Sequence, residues 1–218
     1  MRAILAPMLS LLLLTPPAAA ETAAVREAFA HYVAALAARD GVEAARLVTA
    51  GSLAREEALR DLALTAPPAT VAALPTADRL AVLRLRHEFT AEELEPLHGE
   101  DLVRIAAEEA WTSPRPLSAL TVTGVAEDGD TATLEVERGG EPVPVRLVLR
   151  REQDAWKLDL VALARGSDAA LTETLAFRAE RAKVPVEEVL RWVIEDSSGH
   201  LVDKDLSQPL DKEARHPP

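Results

Sequence analysis

Residues 120–161, LTVTGVAEDGDTATLEVERGGEPVPVRLVLRREQDAWKLDLV, decide the fold. Apolar and polar side chains alternate with a period of two, and each run ends in a glycine- or aspartate-rich turn. The pattern predicts strands over Leu120–Ala126, Thr131–Glu137, Val143–Arg150 and Ala155–Val161. Turns fall at Glu127–Asp130, Arg138–Glu141 and Gln153-Asp154, giving a four-stranded antiparallel meander. Alternation puts Val143, Val145, Leu147 and Leu149 on one face, against Pro144, Arg146, Val148 and Arg150. In the last strand Trp156, Leu158 and Leu160 share a face, opposite Lys157 and Asp159. One face of the sheet is therefore core and the other at least partly wet.

Upstream the period is 3.6. Val25, Ala28, Phe29, Tyr32, Val33 and Leu36 form the apolar face of a helix over Thr22–Ala38, broken by Asp40-Gly41. A second short helix through Leu47 and Val48 is expected to end at Gly51, with Ser52 starting a third that contains Leu53, Leu59 and Leu62. Residues 65–76 carry three prolines and read as a loop. Further helices are expected over Asp78–Phe89 and Glu100–Trp111. Between them, Thr90 and Glu93 have capping-box spacing, with Phe89 and Leu94 as its hydrophobic staple. Pro114 and Pro116 close this helical half within Thr112–Leu117.

Downstream, Ser167 is the expected cap of a helix over Asp168–Arg181, and Pro185 opens a last helix with Glu187 and Glu188 in its first turn. From Ser197 the chain reads as polar and turn-like. The expected class is thus α+β: N-terminal helices on a four-stranded antiparallel meander, then two C-terminal helices. The expected organisation is a leader at 1–20, an α+β domain at 21–163 with a helical insertion at 51–117, a helical extension at 164–210 and a disordered tail at 211–218.

The leader combines Arg2, an apolar run over Ile4–Leu14 and a small-residue cleavage site at Ala18-Ala19-Ala20, the pattern of a secretion signal. Its apolar run is shorter than the ~20 residues a spanning helix needs. Cleavage before Glu21 would leave 198 residues with 23 basic and 36 acidic side chains. That negative surface argues against nucleic acid and anionic membrane as partners. The chain has no cysteine, which excludes disulfides, thiol nucleophiles and a lipid-modified cysteine. Basic residues are mostly arginine and there is no asparagine, a bias that fits a GC-rich bacterial genome. Export as a soluble protein to a periplasm or the medium is expected.

Phe29-Ala30-His31-Tyr32-Val33-Ala34-Ala35-Leu36-Ala37-Ala38-Arg39-Asp40-Gly41, running on to Leu47, makes one recognisable piece. Asp128-Gly129-Asp130-Thr131-Ala132-Thr133-Leu134 with Trp156-Lys157-Leu158-Asp159-Leu160 makes another. Together, over residues 22–50 and 118–163, they resemble the NTF2-like superfamily, a cystatin-like cone of curved antiparallel sheet wrapped around helices. The resemblance implies one of three roles, since the superfamily hosts enzymes, ligand binders and interaction modules. Its isomerase and dehydratase members use a carboxylate or histidine base inside the cone, often with a tyrosine donor. Carried onto this chain, that implies Asp159 as base and Tyr32, the only tyrosine, as donor. The simpler reading of Asp159 is an exposed strand residue paired with a nearby arginine.

Other catalytic patterns fail on spacing. His87-Glu88 starts like a zinc-protease motif, but residue 91 is alanine. The remaining histidines, His31, His98, His200 and His216, have no ligand spacing, so no metal or other cofactor is expected. Asp196-Ser197-Ser198-Gly199-His200 holds the residue types of a hydrolase triad but reads better as a helix-ending turn. Trp192 reads as core or interface packing, while Tyr32, Trp111 and Trp156 are the pocket candidates. The expected role is binding of a small apolar ligand or protein partner without catalysis. The alternatives are a cone-interior enzyme and a homodimer packed through the wet face of the sheet.

Overall fold

In the computed structural model, residues 18–111 and 117–210 are described. Most of the leader, the proline-rich stretch at 112–116 and the tail from 211 lie outside them.

The first half is helical: α1 (Ala18–Ala38), α2 (Gly41–Arg46), α3 (Ala50–Thr65), α4 (Pro68–Ala72), α5 (Thr76–Glu88), α6 (Ala91–Leu94) and α7 (Gly99–Glu108). Local capping sets most of these boundaries. The Asp40 carboxylate accepts from the Glu43 amide at 3.0 Å, so the Asp40-Gly41 breaker also starts α2. Gly51 is not a C-cap but lies within the first turn of α3. Thr49 is the N-cap there, accepting from the Ser52 amide at 3.1 Å. The expected loop at 65–76 contains α4, because Pro68 fits a first helical position, where no amide hydrogen is needed. The Thr90–Glu93 capping box forms with both of its bonds.

The sheet comprises β1 (Thr121–Asp128), β2 (Thr131–Arg138), β3 (Glu141–Pro142), β4 (Leu147–Glu152) and β5 (Ala155–Leu158). The main path runs β1-β2-β4-β5, all antiparallel, with β3 on β2. The β2–β3 turn places Gly139 and Gly140 at φ 62° and 86°. The β4–β5 turn holds Gln153 and Asp154 at φ 52° and 64°, which costs a side chain more than a glycine.

Two strand expectations are corrected. The third strand is split: the Val143 amide still donates to the Val136 carbonyl at 3.0 Å, 144–146 then leave the ladder, and Pro142 and Pro144 cannot donate to it. The last strand stops at Leu158 instead of Val161. Asp159 caps α8 (Leu160–Ala182) by accepting from the Ala162 amide at 2.9 Å, and the Ser52 hydroxyl takes the Leu160 amide at 2.9 Å. Leu160 therefore belongs to a helix, not to the strand face of Trp156 and Leu158. Gly166 and Ser167 lie inside α8, where the Ser167 hydroxyl donates back to the Leu163 carbonyl at 2.8 Å. Val148, expected on the wet face, is buried, and α8 packs over β4. The last helix, α9 (Val186–Ser198), ends at Gly199 with φ 79° and includes Ser197, which was expected in a turn. The class is α+β as expected: helices, an antiparallel sheet and two C-terminal helices.

Apolar side chains form two cores. The first joins α1 (Val25, Phe29, Tyr32, Leu36) to the inner face of the sheet (Leu134, Leu147, Leu149, Trp156, Leu158). The second joins α3, α5, α8 and α9 through Leu59, Val82, Leu85, Leu175, Leu190 and Ile194. Helix α7 serves both: Val103 and Ala107 enter the first core, and Leu102 enters the second.

Candidate functional site

At the seam of the two cores lies a cavity of about 320 Å³, within the size range of small-molecule sites. Helices α1, α3, α5, α7, α8 and α9 build it, and no strand residue lines it. Leucines and alanines make up most of its wall. Tyr32, Leu85 and Leu102 are buried, whereas Arg55, Glu56, Arg84 and Trp111 keep partial exposure. The site thus has a dry side and an accessible one.

Its polar groups are few. Arg55 on α3 donates from Nη1 to Glu56 Oε1 at 2.6 Å and from Nε to Asp78 Oδ1 at 3.0 Å, so one guanidinium serves two carboxylates. The Glu56 side chain is 19% exposed. Desolvation raises its pKa most, and the Asp78 charge adds to that against the opposing pull of Arg55. Burial, and then the charge of Glu56, pushes the Tyr32 phenol up as well. Among the described residues, no hydrogen bond of the Tyr32 hydroxyl is found.

Arg84 on α5 pairs with Glu88 at 3.2 Å, donates to the Ser197 hydroxyl at 2.5 Å and stacks 4.9 Å from the centroid of Trp111. Phe89 packs against that ring in a T-shaped arrangement, with the centroids 5.8 Å apart. The Arg84 Nε–H is buried and has no acceptor among the described residues. Burial lowers the pKa of this guanidinium, and Glu88 partly restores it.

Of the three expected pocket residues, the structure brings Tyr32 and Trp111 to this cavity but not Trp156. Trp156 is 8% exposed, packed in the first core, with the Arg151 guanidinium 4.6 Å from its ring centroid. Asp159 does not line the cavity with Tyr32 either. It is buried, caps α8 and accepts from Arg150 Nε at 2.7 Å. The arginine partner matches the simpler reading; the exposure does not. Glu56, the carboxylate that does face Tyr32, had no sequence signal: it sits in a run of charged residues on an amphipathic helix.

His87 Nε2 lies 3.0 Å from the Ser198 hydroxyl, so a serine and a histidine do meet at the end of α9. Among the described residues the buried Nδ1 of His87 has no partner, so none of their carboxylates orients the ring as a triad requires. Among the described residues, no group of three or more histidine, aspartate or glutamate side chains could hold a metal ion. A second depression, of about 1030 Å³, is a surface groove between α8 and α9 that carries the exposed Phe177 and Trp192. Compared with family models, with curated proteins and with solved structures, the chain has no match.

Proposed function

We propose that the protein is a non-catalytic binder of a small, largely apolar molecule, held in the cavity between its two cores. The observation that carries this reading is the apolar wall itself, supplied by six helices and interrupted by only a few fixed polar groups. Leu80, Leu85, Leu102, Leu160 and Leu163 would exclude water from the ligand, and Tyr32 and Glu56 would orient it. An NTF2-like origin is part of the proposal, supported by an opening helix packed on an antiparallel meander. The binding site is then displaced from the sheet to the helices.

Among the described residues no helix is long and apolar enough to cross a membrane. With the leader pattern, this supports a protein exported to a periplasm or the medium. Native mass spectrometry of protein purified from its own compartment tests both parts. A mature mass starting at Glu21 with a non-covalent small-molecule adduct supports the reading. An unprocessed mass with no adduct contradicts it.

A second reading rests on one observation, the desolvated Glu56 beside Tyr32. That environment shifts a carboxyl toward the range of a useful base, so an isomerase- or dehydratase-like proton transfer would run through Glu56 instead of Asp159. A benzisoxazole ring-opening substrate, which reports carboxylate bases in apolar sites, separates the two readings. Acceleration that is lost in Glu56→Gln supports an enzyme; no acceleration leaves the binder.

A further inference from the structure

Helices α8 and α9 are joined by three residues, 183–185, and pack as a helical hairpin. The inner face of the hairpin enters the second core through Leu175, Ala179, Leu190 and Ile194. Its outer face is the open groove, with Phe177 and Trp192 at 56% and 39% exposure; every other phenylalanine and tryptophan of the chain is better covered. Trp192 Nε1 already donates to Glu188 at 3.0 Å, so what the ring offers outward is apolar. The charges at the groove are sorted by bank. Arg178 and Arg181 stand on α8, and Glu195 and Asp196 on α9. Glu195 is engaged by Arg191 Nη1 at 2.6 Å and by the Val202 amide at 3.0 Å. Arg181 lies over the Phe177 ring, 5.8 Å from its centroid. Among the described residues, Arg178, Arg181 and Asp196 have no hydrogen bond or ion pair. One bank is therefore basic and the other acidic, each with charge left to pair.

We infer that this groove is an interface for a second copy of the chain, hairpin against hairpin, closing a four-helix bundle between the two. A two-fold axis running along the hairpin lays α8 of each copy on α9 of the other, so the contact is isologous and each half repeats the other. The register suits that operator. Phe177 stands six residues before the 183–185 turn and Trp192 seven after it, and equal helical rise puts them at nearly the same height. Each copy's Phe177 thus meets the other's Trp192, the kind of aromatic anchor that dominates interfaces. The basic bank of each copy faces the acidic bank of the other, with Arg178 and Arg181 reaching Asp196. A foreign partner would have to present an aromatic pair and both charges in this same order, which the chain itself already carries. The interface is helical, on a different face from the wet side of the sheet, and it does not depend on what the seam cavity binds.

Sedimentation velocity of the full chain over a range of concentrations tests this, alongside two charge-reversed variants. One carries Arg178→Glu with Arg181→Glu, and the other carries Asp196→Arg. All three positions are exposed and make no described bond, so the variants are expected to fold, which circular dichroism checks. The parent is expected to form a dimer. Each variant alone places like charges across both halves of the interface, and its dissociation constant is expected to rise by about tenfold or more. An equimolar mixture of the two variants brings opposite charges together again and is expected to restore the dimer. A parent that stays monomeric at every concentration overturns the inference and leaves the groove to a different protein. A dimer that both variants retain, or a mixture no tighter than either variant alone, overturns it too, because the contact then lies elsewhere.

Discussion

Arg86 and Glu56 show how a single side chain departs from its surface default. Arg86 is 1% exposed, and among the described residues its hydrogen-bond acceptors are backbone carbonyls. Its guanidinium donates to five backbone carbonyls: Leu62, Ala63 and Ala66 at the end of α3, and Leu206 and Ser207 in the C-terminal segment. A buried cation is tolerated here because the carbonyl end of a helix carries partial negative charge and all its donors are used. Burial lowers its pKa, and Asp205 partly offsets this. Arg86→Leu would leave those carbonyls unsatisfied and is expected to cost about 3 kcal/mol or more in urea unfolding, with Arg86→Lys losing less. Equal stability of Arg86→Leu and the parent would contradict the account. Glu56 acts in the opposite sense. Its pKa is raised in the folded state, so folding is favoured when it is protonated, and that contribution is lost as pH rises through the raised value. The gain in melting temperature of Glu56→Gln over the parent should therefore grow from acid toward neutral pH; a gain independent of pH would refute the shift. Neither residue was legible in the sequence, because arginine and glutamate on an amphipathic helix are exposed by default.

At the scale of elements, local chemistry was readable and tertiary chemistry was not. The Thr90–Glu93 box and the hairpin turns at Gly139-Gly140 and Gln153-Asp154 are fixed within a few residues, and each stands where its sequence puts it. The start of α8 is different. Period-two alternation continues through Leu160, and Gly166-Ser167 resembles a helix start. What ends β5 is Ser52 and Leu47, more than a hundred residues away, binding the Leu160 and Leu158 amides. Helix contacts are similarly specified by glycine. A Cβ on Gly99 would lie 2.0 Å from the Leu53 carbonyl oxygen, so α7 and α3 pack this closely only with glycine there. Gly99→Ala is expected to destabilise by about 1–3 kcal/mol, the range for overpacking, although alanine favours helix. Thermal melts check it, and a stabilised variant would contradict the packing.

Across the whole molecule, the α+β class was legible in the sequence, but the division of its apolar residues into two cores was not. The structure has two cores sharing α7, and the cavity lies where they meet. Tyr32 lines this cavity from the apolar stripe of α1. Trp156 fills the first core and does not line this cavity, two places that an aromatic in a strand does not distinguish by sequence. The α8–α9 groove, with Phe177 and Trp192, is an exposed alternative that meets the seam cavity at Val193. The most direct measurement is a fluorescence titration with the neutral apolar probe N-phenyl-1-naphthylamine. It compares the parent with Ala106→Trp and Ala164→Phe, which fill the seam cavity from α7 and α8, and with Phe177→Ala, with circular dichroism confirming that each variant folds. Saturable binding that is lost in both filled variants and kept in Phe177→Ala is the expected result. Binding that survives the filled variants, or vanishes with Phe177, would contradict a ligand site between the two cores.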